Sequence, residues 1–587
     1  MSEKYVEQTI FDFEERKTIK GYPELRWTGK RPYTSTQYYP AQRKEVYGEP
    51  NPDGKFDNKI FWGDNLQVMS HLLKEYRGKI KVIYIDPPFD SKADYKMKIQ
   101  VKGTNVFSDT NIFEEKQYGD IWTNDEYLQF MYERLIIMKE LLTEDGVIMV
   151  HCDYRRVAEL RLILNEIFGS STDVNFRNEI IWSYRTGGAP KDFSLARKHD
   201  NILVYSKTSQ FKINPKKERQ YLEKPFMGSK IDSKGRYFVD TVLRDNFEGV
   251  LNIVVDEEKE LVNEYNTRAV LNLSAERLDY PTQKPEGLLS LLIELTSNEG
   301  DLVFDCFMGS GTTQAVAMKL GRRFIGADIN SGAVQTTTKR LNNILKENNN
   351  TLTNDKMPGF EVYNVNNYDF FRNPIEARDL LIEALNIQPF SQRKAFDGEL
   401  DGRNVKIMPV NRIATKADLA ELIANLPYST YDKRKEDNPS TPVDYITLVC
   451  MGHEPDLTAA FKQEVSAYKI DVQIVDILTD KKDFEFKREA KAEVVIEGDQ
   501  LVIKSFYPMN LMQKLSLQKE QVEDYKQLVE SIVIDFNYDG QVLRPTVTDI
   551  PDKKDFIRGT YTLPSNRGVI RVKITDLLSE SLEIEVR

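Results

Sequence analysis

Cysteine and histidine are scarce in this chain, whose 587 residues include three cysteines and four histidines. Cys152, Cys306 and Cys450 lie far apart, and the histidines form no cluster with ligand spacing. A disulfide framework and a zinc site are therefore poorly supported, and no metal is expected. The chain also lacks an apolar run that could span a bilayer, and its charged N-terminus does not resemble a signal peptide. These absences favour a cytoplasmic protein without a membrane segment.

Positive charge is in the minority overall, with a net charge of −11, but it is unevenly spread. Residues 175–236 contain 14 Lys and Arg against 6 Asp and Glu, a local balance of +8 that leaves −19 for the rest. A basic segment in an acidic protein suits a local surface that contacts phosphates. A solvated, lysine-rich loop is the alternative interpretation.

The hydrophobic pattern divides the chain into seven segments. From residue 59, short β-branched runs alternate with amphipathic helical patterns, and the alternation resumes after an irregular, polar and basic stretch at 208–280. This predicts an α/β fold with a doubly wound, mostly parallel sheet, a C-terminal α/β region and a terminal β-rich domain. The expected segments are an N-terminal arm (1–58), a catalytic half (59–207), an insertion (208–280), a cofactor-binding half (281–345), a linker (346–374), an α/β accessory domain (375–483) and a β-rich domain (484–587).

A tetrapeptide, Asp86-Pro87-Pro88-Phe89, directly follows the predicted buried strand KVIYI. The carboxyl end of such a strand is where α/β enzymes hold reactive groups. The prolines remove backbone donors and fix φ, so the turn presents free carbonyls. A carboxylate oxygen of Asp86 and the carbonyl of Pro87 are suited to accept both N–H groups of an exocyclic amine, while Phe89 stacks on the base. An ordinary proline turn is the alternative.

A second motif, Phe307-Met308-Gly309-Ser310-Gly311-Thr312-Thr313, follows a predicted strand that ends at Asp305. The glycines allow close approach of a ligand, and the start of the next helix favours a carboxylate. Asp328 ends the next strand, 19 residues after Gly309, where an acid can bind ribose hydroxyls. The third glycine of a dinucleotide-binding loop is replaced by Gln314.

Together these motifs resemble those of the β group of amino-methylating DNA methyltransferases, which includes the modification subunits of type III restriction systems. Asp-Pro-Pro-Phe is similar to motif IV, the glycine loop and Asp328 to motifs I and II, and YPTQKPEGLLSLLIELTS at 280–297 to motif X. The catalytic motif precedes motifs X and I, which is the permuted order of this group. The resemblance covers about residues 20–345 and implies a Rossmann-like methyltransferase fold.

The resemblance also implies roles for individual residues. Asp86, Pro87, Pro88 and Phe89 would be catalytic. Motif X would lie near the methionine part of S-adenosylmethionine, and Asp64 would accept from the amine of the cofactor adenine or cap a helix. The residues expected to bind the cofactor are Asp64, Asn65, Thr282, Lys284, Pro285, Asp305, Phe307, Gly309, Ser310, Gly311, Thr312, Thr313 and Asp328.

An Asp at the first position of motif IV resembles the adenine-N6 type, whereas Ser is typical of the cytosine-N4 type. The expected activity is therefore methylation of adenine N6 in double-stranded DNA, as the modification component of a restriction-modification or phage-defence system. Methylation of cytosine N4, or a catalytically silent DNA-binding subunit, remains the alternative. A restriction or defence-system subunit and a second copy of the chain stay open as partners.

DNA contacts are expected from the end of a strand at Trp182-Ser183-Tyr184. Arg185 and Lys191 are suited to contact phosphates, and Tyr184 to fill the gap left by a flipped base. Packing within the strand is an equally good account of Tyr184. Residues 208–280 are the expected reader of sequence. Asp397 and the following strand patterns resemble a nuclease of the PD-(D/E)xK type that lacks the usual acid-x-Lys, which suggests a domain without cleavage activity.

Overall fold

The structure is a computed structural model of the chain, and it describes the residues given next. The described residues are 10–13, 23–88, 94–100, 112–119, 124–169, 175–185, 195–270, 274, 276–278, 282–349, 357–365, 378, 381–382, 385, 387–390, 395–408, 414, 416–439, 441–450, 457–476, 490–512, 522, 524–551 and 555–586.

The described residues up to 365 form nineteen strands and six α-helices. The strands are β1 (Ile10–Asp12), β2 (Ser35–Gln37), β3 (Ala41–Tyr47), β4 (Asn58–Trp62), β5 (Ile80–Ile85), β6 (Asp94–Gln100), β7 (Ile112–Gly119), β8 (Leu142–Cys152), β9 (Phe176–Ser183), β10 (His199–Ser206), β11 (Lys217–Leu222), β12 (Lys230–Ile231), β13 (Tyr237–Val242), β14 (Asn246–Glu248), β15 (Val250–Asp256), β16 (Leu261–Asn266), β17 (Leu302–Asp305), β18 (Arg323–Asp328) and β19 (Phe360–Val365). The helices are α1 (Asn65–Tyr76), α2 (Asn124–Leu141), α3 (Val157–Phe168), α4 (Glu286–Thr296), α5 (Thr312–Lys319) and α6 (Ser331–Asn349).

A ten-stranded sheet forms the centre, with the order β14-β9-β10-β8-β5-β17-β18-β4-β19-β3. Strands β8, β5, β17, β18, β4 and β19 are parallel to their neighbours among these six, whereas β10 and β3 run antiparallel to theirs. The parallel strands are buried on both faces, which explains their apolar runs. The predicted doubly wound, mostly parallel sheet is confirmed.

Helices cover both faces of this sheet. Helices α1, α2 and α3 pack on one face, in a core that includes Met69, Leu135 and Leu164. Helices α4, α5 and α6 pack on the other face, in a core that includes Leu292 and Val316. The carboxyl ends of the six parallel strands therefore meet at one edge, where ligands bind in folds of this kind.

The stretch at 208–280, expected to be irregular, contains a second, antiparallel sheet of five strands in the order β12-β13-β11-β15-β16. The prediction of irregular structure was wrong because charged residues occupy both exposed and buried positions of these short strands, which hides the alternation. Arg219 in β11 is buried and pairs with Asp240 in β13 at 2.8 Å. Such cross-strand ion pairs support a sheet with little apolar surface.

After residue 365, the part of the chain that is described forms three further sheets, three α-helices and one 3-10 helix. The elements are β20 (Gln388–Pro389), β21 (Gly398–Leu400), β22 (Arg403–Ile407), α7 (Lys416–Ala424), α8 (Tyr428–Asp437), β23 (Asp444–Cys450), α9 (Leu457–Glu464), β24 (Ile470–Asp476), β25 (Lys491–Glu497), β26 (Gln500–Tyr507), a 3-10 helix (Tyr525–Leu528), β27 (Val529–Asp535), β28 (Val547–Asp549), β29 (Thr560–Thr562), β30 (Ile570–Asp576) and β31 (Ser581–Val586). An α/β sheet of β20 to β24 precedes all-β sheets, as expected from the sequence.

Two segments expected to lie outside the central sheet contribute strands to it. Strand β3 comes from the expected N-terminal arm, and β19 comes from the expected linker at 346–374. The linker interpretation was wrong for 360–365, because the Asn-rich tract before this strand concealed a short buried run. The C-terminal domain covers the edge at β3, where the Val46 amide donates to the Leu543 carbonyl at 3.0 Å and Lys573 pairs with the buried Glu45.

Among the described residues, no helix combines the length and apolar character needed to cross a membrane. Within that same part of the chain, no group of three or more His, Cys, Asp or Glu side chains is arranged to hold a metal ion.

Candidate active site

Asp86 lies at the carboxyl end of β5, near the middle of the central sheet. The Lys284 ammonium forms an ion pair with the Asp86 Oδ2 atom. Both side chains are largely buried, because only 10% of the Lys284 side chain and 17% of the Asp86 side chain are exposed. The other oxygen, Oδ1, is buried without a hydrogen-bond partner among the described residues. A buried acceptor without a donor costs free energy. A ligand N–H or O–H group that donates a hydrogen bond to this oxygen removes that cost.

The rest of the predicted tetrapeptide is only partly described. Pro87 is buried and Pro88 is half-buried directly after the strand. Phe89 lies outside the described residues, as does Lys191. The structure thus places the acid and the rigid turn at the sheet edge, while the stacking role of Phe89 stays a prediction.

The predicted cofactor loop connects β17 to α5. Asp305 at the end of β17 is buried and accepts from the Thr313 hydroxyl at 2.6 Å and from the Phe307 amide at 2.9 Å. Burial, with the nearby Asp86 charge, raises the pKa of Asp305 to about 7 despite these hydrogen bonds. Asp305 therefore braces the loop from within.

Two glycines of this loop have positive φ, 49° at Gly309 and 71° at Gly311. A Cβ atom on Gly311 would lie 2.5 Å from the Thr337 side chain of α6. The hydroxyl of Thr337 donates to the Gly309 carbonyl at 3.2 Å. Glycine is thus required at position 311 both for its backbone conformation and for the close packing of α6.

Asp328 follows in the next strand, β18, at the position expected for a ribose ligand. Its carboxylate accepts from the Gly309 amide at 3.0 Å and from the Asn330 amide at 2.8 Å. A carboxylate has about four acceptor positions, so further ligand hydroxyls can still bind. Burial raises the pKa of Asp328 to about 6, although these amides lower it.

The segment before α4 brings the cofactor half against the catalytic half. Thr282 has a positive φ of 62°, which is unusual for a β-branched residue. Pro285 is the N-cap of α4, and the Lys284 carbonyl accepts from the Thr312 hydroxyl at 3.3 Å. Thr312 in turn accepts from Arg340 at 3.0 Å. Lys284, expected to bind the cofactor, pairs with Asp86, and its contact with the cofactor stays a prediction.

Asp64 and Asn65 open α1 beside the cofactor loop. Asp64 is the N-cap, accepting from the Leu66 amide at 3.0 Å, and it also accepts from Arg134 at 3.2 Å. Asn65 accepts from Arg134 at 2.5 Å and donates to the Cys306 carbonyl at 3.3 Å. The structure thus has the helix-cap alternative for Asp64, and its contact with a cofactor adenine stays a prediction. The sequence had no signal for Arg134, which looks like a surface residue of an amphipathic helix.

A series of hydrogen-bonded polar side chains lies on the side of Asp86 away from the cofactor loop. The sequence did not predict it. His151 lies between Tyr84, 2.8 Å from its Nδ1 atom, and Asp200, 3.2 Å from its Nε2 atom. The Tyr184 hydroxyl donates to Asp200 at 3.0 Å, and its ring packs on Trp182 with 4.9 Å between centroids. Tyr184 therefore has the strand-packing contacts that were the alternative to base-gap filling. These residues are far apart in sequence, so spacing could not reveal the chain.

Exposed cations lie at the same sheet edge as these hydrogen-bonded side chains. Arg185 is 92% exposed and pairs with Glu248 at 3.0 Å. Tyr154, just after β8, is 41% exposed, and the Arg197 guanidinium lies 4.1 Å from its ring centre. Within the described residues, Arg197 has no carboxylate partner at salt-bridge distance. These groups are available to a polyanion.

The region that resembles a PD-(D/E)xK nuclease has the expected hairpin of β21 and β22, followed by the parallel strands β23 and β24. The buried Asp397 carboxylate has a partner on each oxygen, because Oδ1 forms an ion pair with Arg378 and Oδ2 accepts from the Ile407 amide at 2.6 Å. An acid held in this way is poorly suited to bind a metal ion.

Comparisons with known proteins cover the segment in which this site lies. A family model described as DNA methylase matches residues 80–339. The chain is 28% identical over 332 residues to the type II methyltransferase M.EcaI of Enterobacter cloacae, covering 48% of this chain and 69% of that protein. It is 27% identical over 201 residues to the type III restriction-modification enzyme EcoP15I Mod subunit of Escherichia coli, covering 32% of this chain and 30% of that protein.

A third relative is the DNA adenine methyltransferase YhdJ of Escherichia coli K12, 24% identical over 304 residues, covering 50% of this chain and 85% of that protein. The chain thus spans less than a third of the Mod subunit, and the family model ends before the C-terminal domains. The matched segment contains Asp86, the glycine loop and Asp328. Residues 80–339 are therefore similar to DNA methylases, and this segment contains the site described above.

Proposed function

We propose that this protein transfers a methyl group from S-adenosylmethionine to the N6 amino group of adenine in double-stranded DNA, at specific sites. The observation that carries the proposal is the state of Asp86. Lys284 binds one carboxylate oxygen, and the other is buried without a hydrogen-bond partner among the described residues. An amine that brings an N–H group to this oxygen removes the cost of the unpaired acceptor.

The two N–H groups of the target amine are accepted by Asp86 Oδ1 and by the Pro87 carbonyl. These bonds increase the electron density on nitrogen and orient its lone pair. S-adenosylmethionine supplies a methyl group on a positively charged sulfur. The nitrogen lone pair would take this methyl group as the S–C bond breaks with its electrons going to sulfur, and the proton lost from the nitrogen would pass to solvent.

Direct transfer is also supported by the state of the cysteines. Burial raises the pKa of the Cys152 and Cys306 thiols well above the ordinary value. A buried, protonated thiol is a poor nucleophile, which argues against a covalent enzyme intermediate.

The chemistry of the donor groups fits the cofactor. The turn at Gly309 and Gly311 leads into the N-terminus of α5, which favours a carboxylate. Asp328 is suited to accept the two ribose hydroxyls, as the resemblance to motif II implies. Three more predicted cofactor residues lie around the same loop. Asp64 accepts from Arg134, Asn65 donates to the Cys306 carbonyl, and the ring of Phe307 lies next to the ring of Phe130. We assign these residues to cofactor binding.

Adenine is favoured over cytosine by the Asp at the first position of the tetrapeptide. The name of one relative, a DNA adenine methyltransferase, agrees with this choice. The relative from a type III system suggests that the protein serves as the modification component of a restriction-modification system.

We place the approaching DNA on the side of β8, β10 and β9. Strand order puts the cofactor loop on one side of Asp86 and these three strands on the other. Arg185 and Arg197 are exposed there and suit phosphates. The five-stranded sheet at 217–266 is the proposed reader of sequence. Exchange of residues 208–280 with those of a related enzyme is expected to change the methylated sequence while activity is kept.

The direct test uses the purified protein, S-adenosylmethionine with a labelled methyl group and DNA of mixed sequence. Digested DNA is analysed by mass spectrometry, and N6-methyladenine is expected without any added subunit. N4-methylcytosine alone would overturn the choice of base. Cofactor binding without any labelled DNA would favour a catalytically silent DNA-binding subunit.

A further inference from the structure

Lys284, which precedes the N-cap residue of α4, forms an ion pair with Asp86, the proposed catalytic residue. We propose that Lys284 is a positioning residue of methyl transfer, which holds Asp86 so that Oδ1 faces the substrate amine. This inference rests on the proposed function and refines it, because Lys284 is then not a ligand of the methionine part of the cofactor.

The contact itself assigns different roles to the two Asp86 oxygens. Lys284 occupies Oδ2, which leaves Oδ1 as the buried acceptor without a partner among the described residues. A carboxylate with two equivalent open oxygens can rotate between several hydrogen-bonded orientations. An ammonium on one oxygen removes this freedom and keeps the other in a single direction.

The backbone of Lys284 is held from both sides. The next residue, Pro285, begins α4, and the Lys284 carbonyl accepts from Thr312 at the start of α5. The ammonium lies 3.4 Å from the carbonyl of Thr282, a residue with positive φ. Lys284 therefore ties the start of the glycine-loop helix to the catalytic strand, which places the methyl donor and the acceptor in one frame.

The charges around Lys284 favour the same role. Burial raises the pKa of Asp200, but the hydrogen bond from His151 and the charges of His151 and Lys284 lower it overall. The Lys284 charge thus acts on Asp200 as well as on its ion-pair partner Asp86. Its removal leaves buried negative charge beside the site where the amine must bind.

The first experiment separates positioning from cofactor binding. In Lys284→Met, the single-turnover rate of methyl transfer at saturating cofactor is expected to fall at least ~30-fold, by comparison with losing one oriented group in other active sites. The Kd of S-adenosylmethionine, measured by calorimetry without DNA, is expected to change less than ~3-fold. Lys284→Arg, which keeps the charge, is expected to recover part of the rate.

The matched control is Lys81→Met. Lys81 also forms an ion pair with an aspartate, Asp145 of the neighbouring strand β8 at 2.6 Å, but it lies at the opposite end of β5. Its variant is expected to keep both the rate and the Kd. A large increase in the cofactor Kd of Lys284→Met, with an unchanged rate at saturation, would overturn the proposal and make Lys284 a cofactor ligand.

A second measurement requires no activity. Thermal unfolding of Asp86→Asn, Lys284→Met and the double variant forms a double-mutant cycle in the cofactor-free protein. The double variant is expected to lose less stability than the two single variants combined, because no charge stays buried alone. Strict additivity would contradict the proposed pair. Failure of the proposed function is distinct, since it would appear in the unmodified protein as an absence of methylated adenine.

Discussion

The two sides of the sheet edge around Asp86 differ in the groups that form their hydrogen bonds. On the side of β17 and β18, the acids Asp305 and Asp328 are held mainly by backbone amides and one hydroxyl from the same loop. On the side of β8 and β10, the chain through Tyr84, His151 and Asp200 consists of side chains. The proposed cofactor side is local in sequence, whereas the proposed substrate side exists only after folding.

The largest expected effect lies at the border between the two sides. Asp86→Ala is expected to lower methyl transfer at least ~100-fold, because the oriented acceptor of the amine is lost. The Kd of S-adenosylmethionine should change little, since Asp86 faces the substrate. Rate and affinity are measured by single-turnover transfer and calorimetry. Near-normal turnover would remove the catalytic assignment.

Gly311→Ala tests the backbone-built side. The variant combines left-handed φ with a Cβ atom 2.5 Å from Thr337, so the loop must move. We expect the cofactor Kd to rise at least ~10-fold, which corresponds to about 1.4 kcal/mol. Gly235→Ala is the matched control, since Gly235 has a φ of 80° in open space. An equal effect in both variants would contradict the close-packing argument.

The pKa of Asp328 predicts how cofactor binding depends on pH. Because burial raises this pKa to about 6, the carboxyl group is neutral below that pH and loses acceptor capacity for hydroxyls. Cofactor affinity is therefore expected to increase as the pH rises through about 6, and Asp328→Asn should flatten the profile.

The same shift acts in the opposite direction on the stability of the cofactor-free protein. A raised folded-state pKa contributes stability at low pH that is lost as the pH rises through about 6. Calorimetry of binding and thermal unfolding over this range test both statements. A profile of binding that does not change with pH would argue against Asp328 as the hydroxyl acceptor.

The smallest effect is expected on the substrate side. Arg197→Ala should weaken DNA binding by up to ~10-fold and reduce the salt dependence by about one phosphate contact, equally for all sequences. Filter binding at several salt concentrations measures both. Arg544→Ala, which removes a half-exposed arginine of the C-terminal domain, should leave binding unchanged. Identical losses in both variants would indicate that the DNA does not approach over β8 and β10.

Much of the fold could be predicted because its signals are local. Buried parallel strands such as β5 and β17 appear as apolar runs, and the glycine loop requires its glycines for backbone reasons. The sheet at 217–266 and strand β19 were missed, because polar exposed faces and an adjacent Asn-rich tract obscure the period. The catalytic role of Asp86 and the sequence-reading role of 208–280 stay predictions.

The sequence by itself determined the α/β class, the position of Asp86 at a strand end, and the glycine turn with Asp328 beside it. Each depends on residues within one strand, turn and helix, where propensity and φ restrictions act over a few positions. Only the tertiary structure decided that Lys284 binds Asp86, that His151 joins Tyr84 to Asp200, and that Lys573 covers Glu45 at the sheet edge. These contacts join residues from distant segments, and their partners are set by how the strands are ordered in the sheet.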